Sequence, residues 1–117
     1  MKTIAIVGSR RRDGEEDYAA VVSAFVEVYE VGDRIVSGHC PRGGDRFAEL
    51  IAAEFDVPIL LHLPDWNKYG RGAGIVRNTL IAQDADVVIA CVAADRTGGT
   101  EDTVKKMLRM NKKVILV

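Results

Sequence analysis

Apolar residues along the chain alternate between two textures. Short runs bounded by turn residues appear at Thr3 to Val7, Arg34 to Ser37, Pro58 to Leu63, Asp86 to Val92 and Lys113 to Val117. Most of them are apolar without strict alternation, as parallel strands are when helices cover both faces. Between them the spacing is helical. Tyr18, Val21, Val22, Phe25, Val28 and Tyr29 form one stripe, and Phe47, Leu50, Ile51 and Phe55 a second. A third helix is predicted from about Ile75 to Gln83 with Val76, Leu80 and Ile81 inward, and a fourth from about Thr100 to Met110 with Val104, Met107 and Leu108 inward.

Strand and helix in strict alternation is the mark of successive βαβ units, so the predicted fold class is α/β, a Rossmann-like three-layer α/β/α sandwich on a five-stranded parallel sheet. Crossovers of one hand leave 3-2-1-4-5 as the natural strand order. No linker, repeat or low-complexity segment interrupts the pattern, and residues 1–117 read as one domain.

Composition narrows the function classes. The chain is 48% hydrophobic and 28% charged, and its 16 basic and 17 acidic residues give a net charge of −1. That balance supplies no global field for nucleic acid, and only local basic clusters would draw one. The apolar start of the chain is too short for a signal-peptide core or a membrane span, so a soluble, cytoplasmic protein with no membrane partner is expected. Cys40 and Cys91 form no CxxC and have no histidine at metal-ligand spacing, which argues against a disulfide framework and a zinc site. No metal site is expected, no cofactor is required, and magnesium would enter only on a ligand's phosphate.

In such sheets ligands bind beyond the carboxyl ends of the strands, where the strand order reverses. The loops there carry glycine with arginine: Gly8-Ser9-Arg10-Arg11-Arg12-Asp13-Gly14 after the first strand, Gly38-His39-Cys40-Pro41-Arg42-Gly43-Gly44-Asp45 after the second, and Asp95-Arg96-Thr97-Gly98-Gly99-Thr100 after the fourth. Glycine admits an anion close to the backbone, a helix N-terminus presents unpaired N–H groups, and arginine adds a fork of donors. Phosphate is the guest this combination suits. Neither GxxxxGK[ST] nor GxGxxG is present, which removes the ATPase and dehydrogenase readings. After the third strand, Trp66 lies in a polar, glycine-rich stretch where it would stack a base or plug the loop. Arg77 and Asn78, early in the third helix, point toward the same edge.

The stretches GSRRRD, SGHCPRGGDRFAELIAAEF, LPDWNKYGRGAGIVRN and DADVVIA followed by TGGT resemble, in order and spacing, the YspA and YpsA-like branch of the SLOG superfamily over nearly the whole chain. The resemblance implies a Rossmann-like domain that binds a nucleotide or nucleotide-derived ligand. It places the phosphate cradle at Gly98, Gly99 and Thr100, the first-strand loop at Gly8, Ser9 and Arg10, and the polar helix pair at Arg77 and Asn78. Asp45 matches the acid of the branch's GAD-like motif. Pairing is common among relatives of the superfamily, so a homodimer is implied as well.

The related LOG phosphoribohydrolases carry PGGxGTxxE with a catalytic glutamate, whereas this chain has Thr103 three residues past Thr100 and its acids at Glu101 and Asp102. A one-residue shift on a helix turns a side chain by about 100°. Cys40-Pro41-Arg42 is also bulkier than the small residues usual in the branch's second loop.

Three functions remain at this stage. The first is a nucleotide sensor or carrier that holds phosphate with Arg10, Arg77 and the amides near Gly99, with Trp66 or Tyr69 touching the base or ribose and Gly38, Gly43 and Gly44 also at the ligand. The second is an N-glycosidic hydrolase or transferase, with Asp45, Glu101 or Asp102 as acid or nucleophile. The third, by analogy with DprA proteins, is a nucleic-acid module using Arg10, Arg11, Arg12, Arg42 and Arg46 as a phosphate track.

Overall fold

In the computed structural model, which describes residues 1–117, five parallel strands form one sheet in the order β3-β2-β1-β4-β5. The strands are β1 (Thr3–Gly8), β2 (Arg34–Ser37), β3 (Ile59–Leu61), β4 (Val87–Cys91) and β5 (Lys113–Leu116). The helices are α1 (Glu15–Val28), α2 (Gly44–Glu54), α3 (Trp66–Tyr69), α4 (Ala73–Asp84) and α5 (Gly99–Arg109). The predicted class and strand order hold. No helix is long and apolar enough to cross a membrane.

Alternation along each strand divides the core. Ile4 and Ile6 of β1, Ile35 of β2 and Ile89 of β4 meet Val21 and Phe25 of α1 and Phe47 and Ile51 of α2. Ala5 and Val7, with Val36, Val88 and Ala90, face Ile81 and Ala82 of α4 and Val104 and Met107 of α5. The first face carries isoleucine and phenylalanine, and the second valine and alanine from the strands.

This asymmetry corrects part of the predicted core. Leu80 and Leu108 are exposed because α4 turns Ala73, Asn78, Ile81 and Ala82 inward, and α5 turns Thr103, Val104 and Met107 inward. Small residues against a small-residue sheet face permit close approach, and alanine adds little to an apolar stripe read from sequence. On α2, Ala48 and Ala52 likewise join Phe47 and Ile51 in the core, leaving Leu50 exposed. Phe55 sits at the rim with its ring 5.6 Å from that of Phe25. The predicted loop around Trp66 contains α3, capped by Asp65, whose Oδ1 accepts the Lys68 N–H at 3.1 Å, and a 3-10 turn over Gly70–Gly72.

β1 and α2 meet backbone to backbone. A Cβ on Gly44 would fall 2.2 Å from the Gly8 nitrogen and from the Val7 carbonyl carbon, and a Cβ on Gly8 would fall 3.0 Å from the Gly44 Cα. Gly43, at φ +75°, would bring a Cβ to 2.3 Å from the Ser9 oxygen. By contrast, a Cβ on Gly99 meets nothing within 4 Å. Gly44→Ala is therefore expected to cost at least about 3 kcal/mol in urea unfolding, since backbone cannot move aside as a side chain does. Gly99→Ala should leave stability unchanged or raise it by about 0.5 kcal/mol.

Candidate functional site

The ends of β1 and β4, where the strand order reverses, open into a cavity of about 440 Å³. Gly8, Ser9 and Arg10 border it from the β1 loop, Arg77 and Asn78 from α4, and Gly98, Gly99 and Thr100 from the start of α5. Asp45 and Cys40 close the β2 side. Thus most of the residues singled out in the sequence converge here. Gly43 and Gly44 do not border the cavity and instead make the backbone contact described above. Trp66 is 59% exposed on α3 and does not border it either.

The four helices that start at this edge differ in what their first turns offer. α1 begins with Glu15 and Glu16, which repel an anion, and with Asp17, which accepts the Gly14 N–H at 3.2 Å. α2 begins against β1. α4 follows the 3-10 turn, and the Ala73 N–H already donates to the Gly70 carbonyl. α5 has no side-chain cap, and Gly98, at φ +108°, and Gly99 leave its first amides open to the cavity. Both acids in its first turn are neutralised. Glu101 accepts a two-pronged bond from Arg96 at 2.8 Å for each prong, and Asp102 Oδ2 accepts from Lys106 Nζ at 2.6 Å.

Asn78 locks α4 to α5. Its Nδ2 donates to the Gly99 carbonyl at 3.3 Å and to Asp102 Oδ2 at 3.2 Å, while its Oδ1 accepts from Arg77 Nε at 2.9 Å. Arg77 Nη1 also donates to the Gly38 carbonyl at 3.3 Å. The Arg77 guanidinium is therefore oriented by neutral acceptors and has no carboxylate within salt-bridge distance. Arg10 has no hydrogen-bonded partner in the protein and is exposed at the mouth.

The other arginines of these loops are engaged internally. Arg11 forks onto Asp95 at 2.8 and 3.0 Å and donates to the Thr97 hydroxyl at 2.9 Å, which ties the β1 loop to the β4 loop. That fork holds the Asp95 carboxyl far below the usual carboxylate range. Arg12 donates to Asp17 at 2.8 Å and to the Val92 and Val117 carbonyls. Arg46 donates to Asp13 at 2.8 Å and lies over the Phe47 ring. The predicted phosphate track of five arginines thus reduces to Arg10 and Arg42 as exposed cations without an acidic partner.

Among the catalytic candidates, Glu101 is held by Arg96 away from the cavity wall and Asp102 is shared by Lys106 and Asn78. Asp45 is the acid that borders the cavity, and it is 7% exposed. Its Oδ2 accepts the Cys40 N–H at 3.1 Å, and its Oδ1 lies 3.1 Å from the Ser37 hydroxyl. Burial pushes its carboxyl above the usual range, with the Cys40 N–H and the nearby Arg77 charge acting the other way. Gly38 makes room for this pair: a Cβ there would lie 2.5 Å from Arg77 Nη1 and 2.8 Å from Asp45 Oδ2.

The sequence reading named Arg11 only as part of a nucleic-acid phosphate track, and did not single out Thr97 or Thr103 as cavity residues. Thr103, where the LOG pattern has glutamate, is buried in the wall. The DRTGGT stretch was a signal for Thr97. Nothing local to Arg11 indicated a partner 84 residues away.

This architecture occurs in a known cofactor-binding protein. Over 98% of its length the chain is similar to the molybdenum cofactor binding protein from the phototrophic bacterium Rippkaea orientalis, with a TM-score of 0.77, 23% identity and 75% of that chain covered. The likeness establishes the shared fold. No protein-family model matches the sequence, and no curated protein matches it.

The environment of Asp45 makes stability depend on pH in a defined direction. Its folded-state pKa is raised, so its stabilising contribution is complete below the unfolded value of 3.8 and is lost as pH rises through the folded value. Asp45→Asn, which keeps the shape without the charge, should therefore melt higher than wild type at about pH 8, with the difference shrinking toward about pH 4. Thermal melts of both proteins across that range check this.

Proposed function

We propose that this protein binds a phosphate-bearing small molecule, a nucleotide or nucleotide-derived ligand, at the carboxyl edge of its sheet and acts as a sensor or carrier of it. The observation that carries the reading is the uncapped start of α5 facing two arginines, Arg10 and Arg77, that have no acidic partner. Unpaired amides at a helix N-terminus with guanidinium forks opposite are the usual recognition chemistry for a phosphate. Apolar residues are few in the wall, so the cavity suits the phosphate and sugar of such a ligand, with the base toward solvent. The SLOG resemblance supports the same placement.

The structural neighbour favours a second guest within this reading. A molybdenum cofactor is a pterin that itself ends in a phosphate, so the same cradle would hold it by the same groups. The hydrolase alternative rests on Asp45 alone, since Glu101 and Asp102 are held in ion pairs. A thermal-shift screen of nucleoside mono-, di- and triphosphates, NAD, ADP-ribose and a phosphorylated pterin, with chromatography of the recovered ligand, separates the readings. A shift with intact ligand supports binding, released base supports hydrolysis, and no shift from any compound overturns the phosphate reading. For a ligand that does shift the protein, Arg77→Ala and Arg10→Ala should each weaken binding by about 10- to 100-fold, the range of a lost charge-assisted hydrogen bond. Arg42→Ala should change it less than about twofold.

A further inference from the structure

Ser37 has one hydroxyl proton and two oxygen neighbours. Its Oγ lies 2.5 Å from the Ile6 carbonyl and 3.1 Å from Asp45 Oδ1. The Ile6 carbonyl can only accept, and at the shorter distance it takes the Ser37 proton. The Ser37–Asp45 contact then needs a proton of its own, because two bare acceptors are not held at this distance where both residues are buried. A neutral Asp45 supplies it. Its Oδ1–H donates to Ser37 Oγ, Ser37 donates to the Ile6 carbonyl, and Oδ2 acts as the carbonyl oxygen that accepts the Cys40 N–H. Each donor and acceptor is matched in this arrangement, whereas an ionised Asp45 leaves one contact between acceptors.

The charge of the cavity follows. Asp45 is the acid in its wall, Arg11 is neutralised by Asp95, and Arg10 and Arg77 remain as cations. We infer that Asp45 is a neutral carboxylic acid in the wall of this site, and that the site therefore takes a phosphate dianion without a divalent metal ion. This rests on the phosphate-binding reading above. Two uncompensated guanidiniums suit a dianionic phosphate monoester. Magnesium at a phosphate site is ordinarily held through one or two carboxylates, and a protonated acid hydrogen-bonded to Ser37 offers it none. The charged groups that face Asp45 are Arg77 from α4, which favours ionisation, and Glu49 on α2, which opposes it. Glu49 is itself paired with His39 at 2.9 Å.

The test combines carboxyl ¹³C NMR of the ligand-free full-length chain with binding of adenosine 5′-monophosphate and inorganic phosphate. The Asp45 carboxyl should remain protonated to higher pH than the exposed aspartates. After correction for the ligand's own second phosphate ionisation near about pH 6, wild-type affinity for the monophosphate should fall by up to about tenfold per pH unit above the Asp45 midpoint, as expected for one linked proton, while Asp45→Asn follows the ligand ionisation alone. Chelation of divalent ions should leave both affinities unchanged. An Asp45 that titrates with the surface carboxylates overturns the inference, and so does binding that requires magnesium. Failure of both probes to bind at any pH overturns the dianion assignment, the phosphate reading itself falls only if the wider ligand set fails as well, and the NMR midpoint still decides the charge of Asp45.

Discussion

The backbone contact between the end of β1 and the start of α2 sets the geometry of the rest of the site. Gly44 lies so close to Val7 and Gly8 that neither glycine admits a side chain. With α2 seated on β1, Asp45 at its second position is carried beneath the end of β2, within reach of Ser37 and of the Cys40 amide. The same contact places Ser9 and Arg10 at the crevice between β1 and β4, where Ser9 N–H extends the pairing onto the Cys91 carbonyl at 2.9 Å. Gly8 and Gly44 thus fix the packing that positions the wall of the site, and Gly98 and Gly99 at the start of α5 leave it open.

The strands were readable because parallel strands covered on both faces are short apolar runs, and their order was readable because crossover geometry leaves few alternatives. Glycine was harder. In sequence, Gly43-Gly44 and Gly98-Gly99 are the same dipeptide in comparable loops, yet one pair is pressed against backbone and the other meets nothing. Only the third dimension separates those roles. The inward faces of α4 and α5 were misjudged at Leu80 and Leu108 because the decisive partners are the alanines of β1 and β4, which no helical stripe reveals. Arg77 and Asn78 were legible as a polar pair at the right edge. What they do for each other, with the amide of one orienting the guanidinium of the other, was not.

Arginine count is a poor guide to the charge a ligand would meet. Of the arginines in the β1 loop, Arg11 and Arg12 hold the scaffold together, one by bridging to the β4 loop and the other by binding Asp17 and backbone carbonyls. Both are needed for the shape of the site and add little to its field. Arg77 differs because its acceptors, Asn78 Oδ1 and the Gly38 carbonyl, fix its direction without cancelling its charge. A cation oriented by neutral groups is preorganised for an anion, and little rearrangement remains to be made when the anion arrives.

The first turn of α5 obeys the same logic. Acids near a helix N-terminus normally compensate the partial positive charge there, and Glu101 and Asp102 stand where they would do so. Each is instead held by a basic side chain, Glu101 by Arg96 just before the helix and Asp102 by Lys106 one turn on. The helix therefore keeps its amides and its dipole available toward the cavity although two carboxylates lie in its first turn. Because Asn78 bonds to both Gly99 and Asp102, the position of α5 is coupled to the orientation of Arg77. An anion bound between them would touch groups from α4 and α5 that one side chain already holds in register.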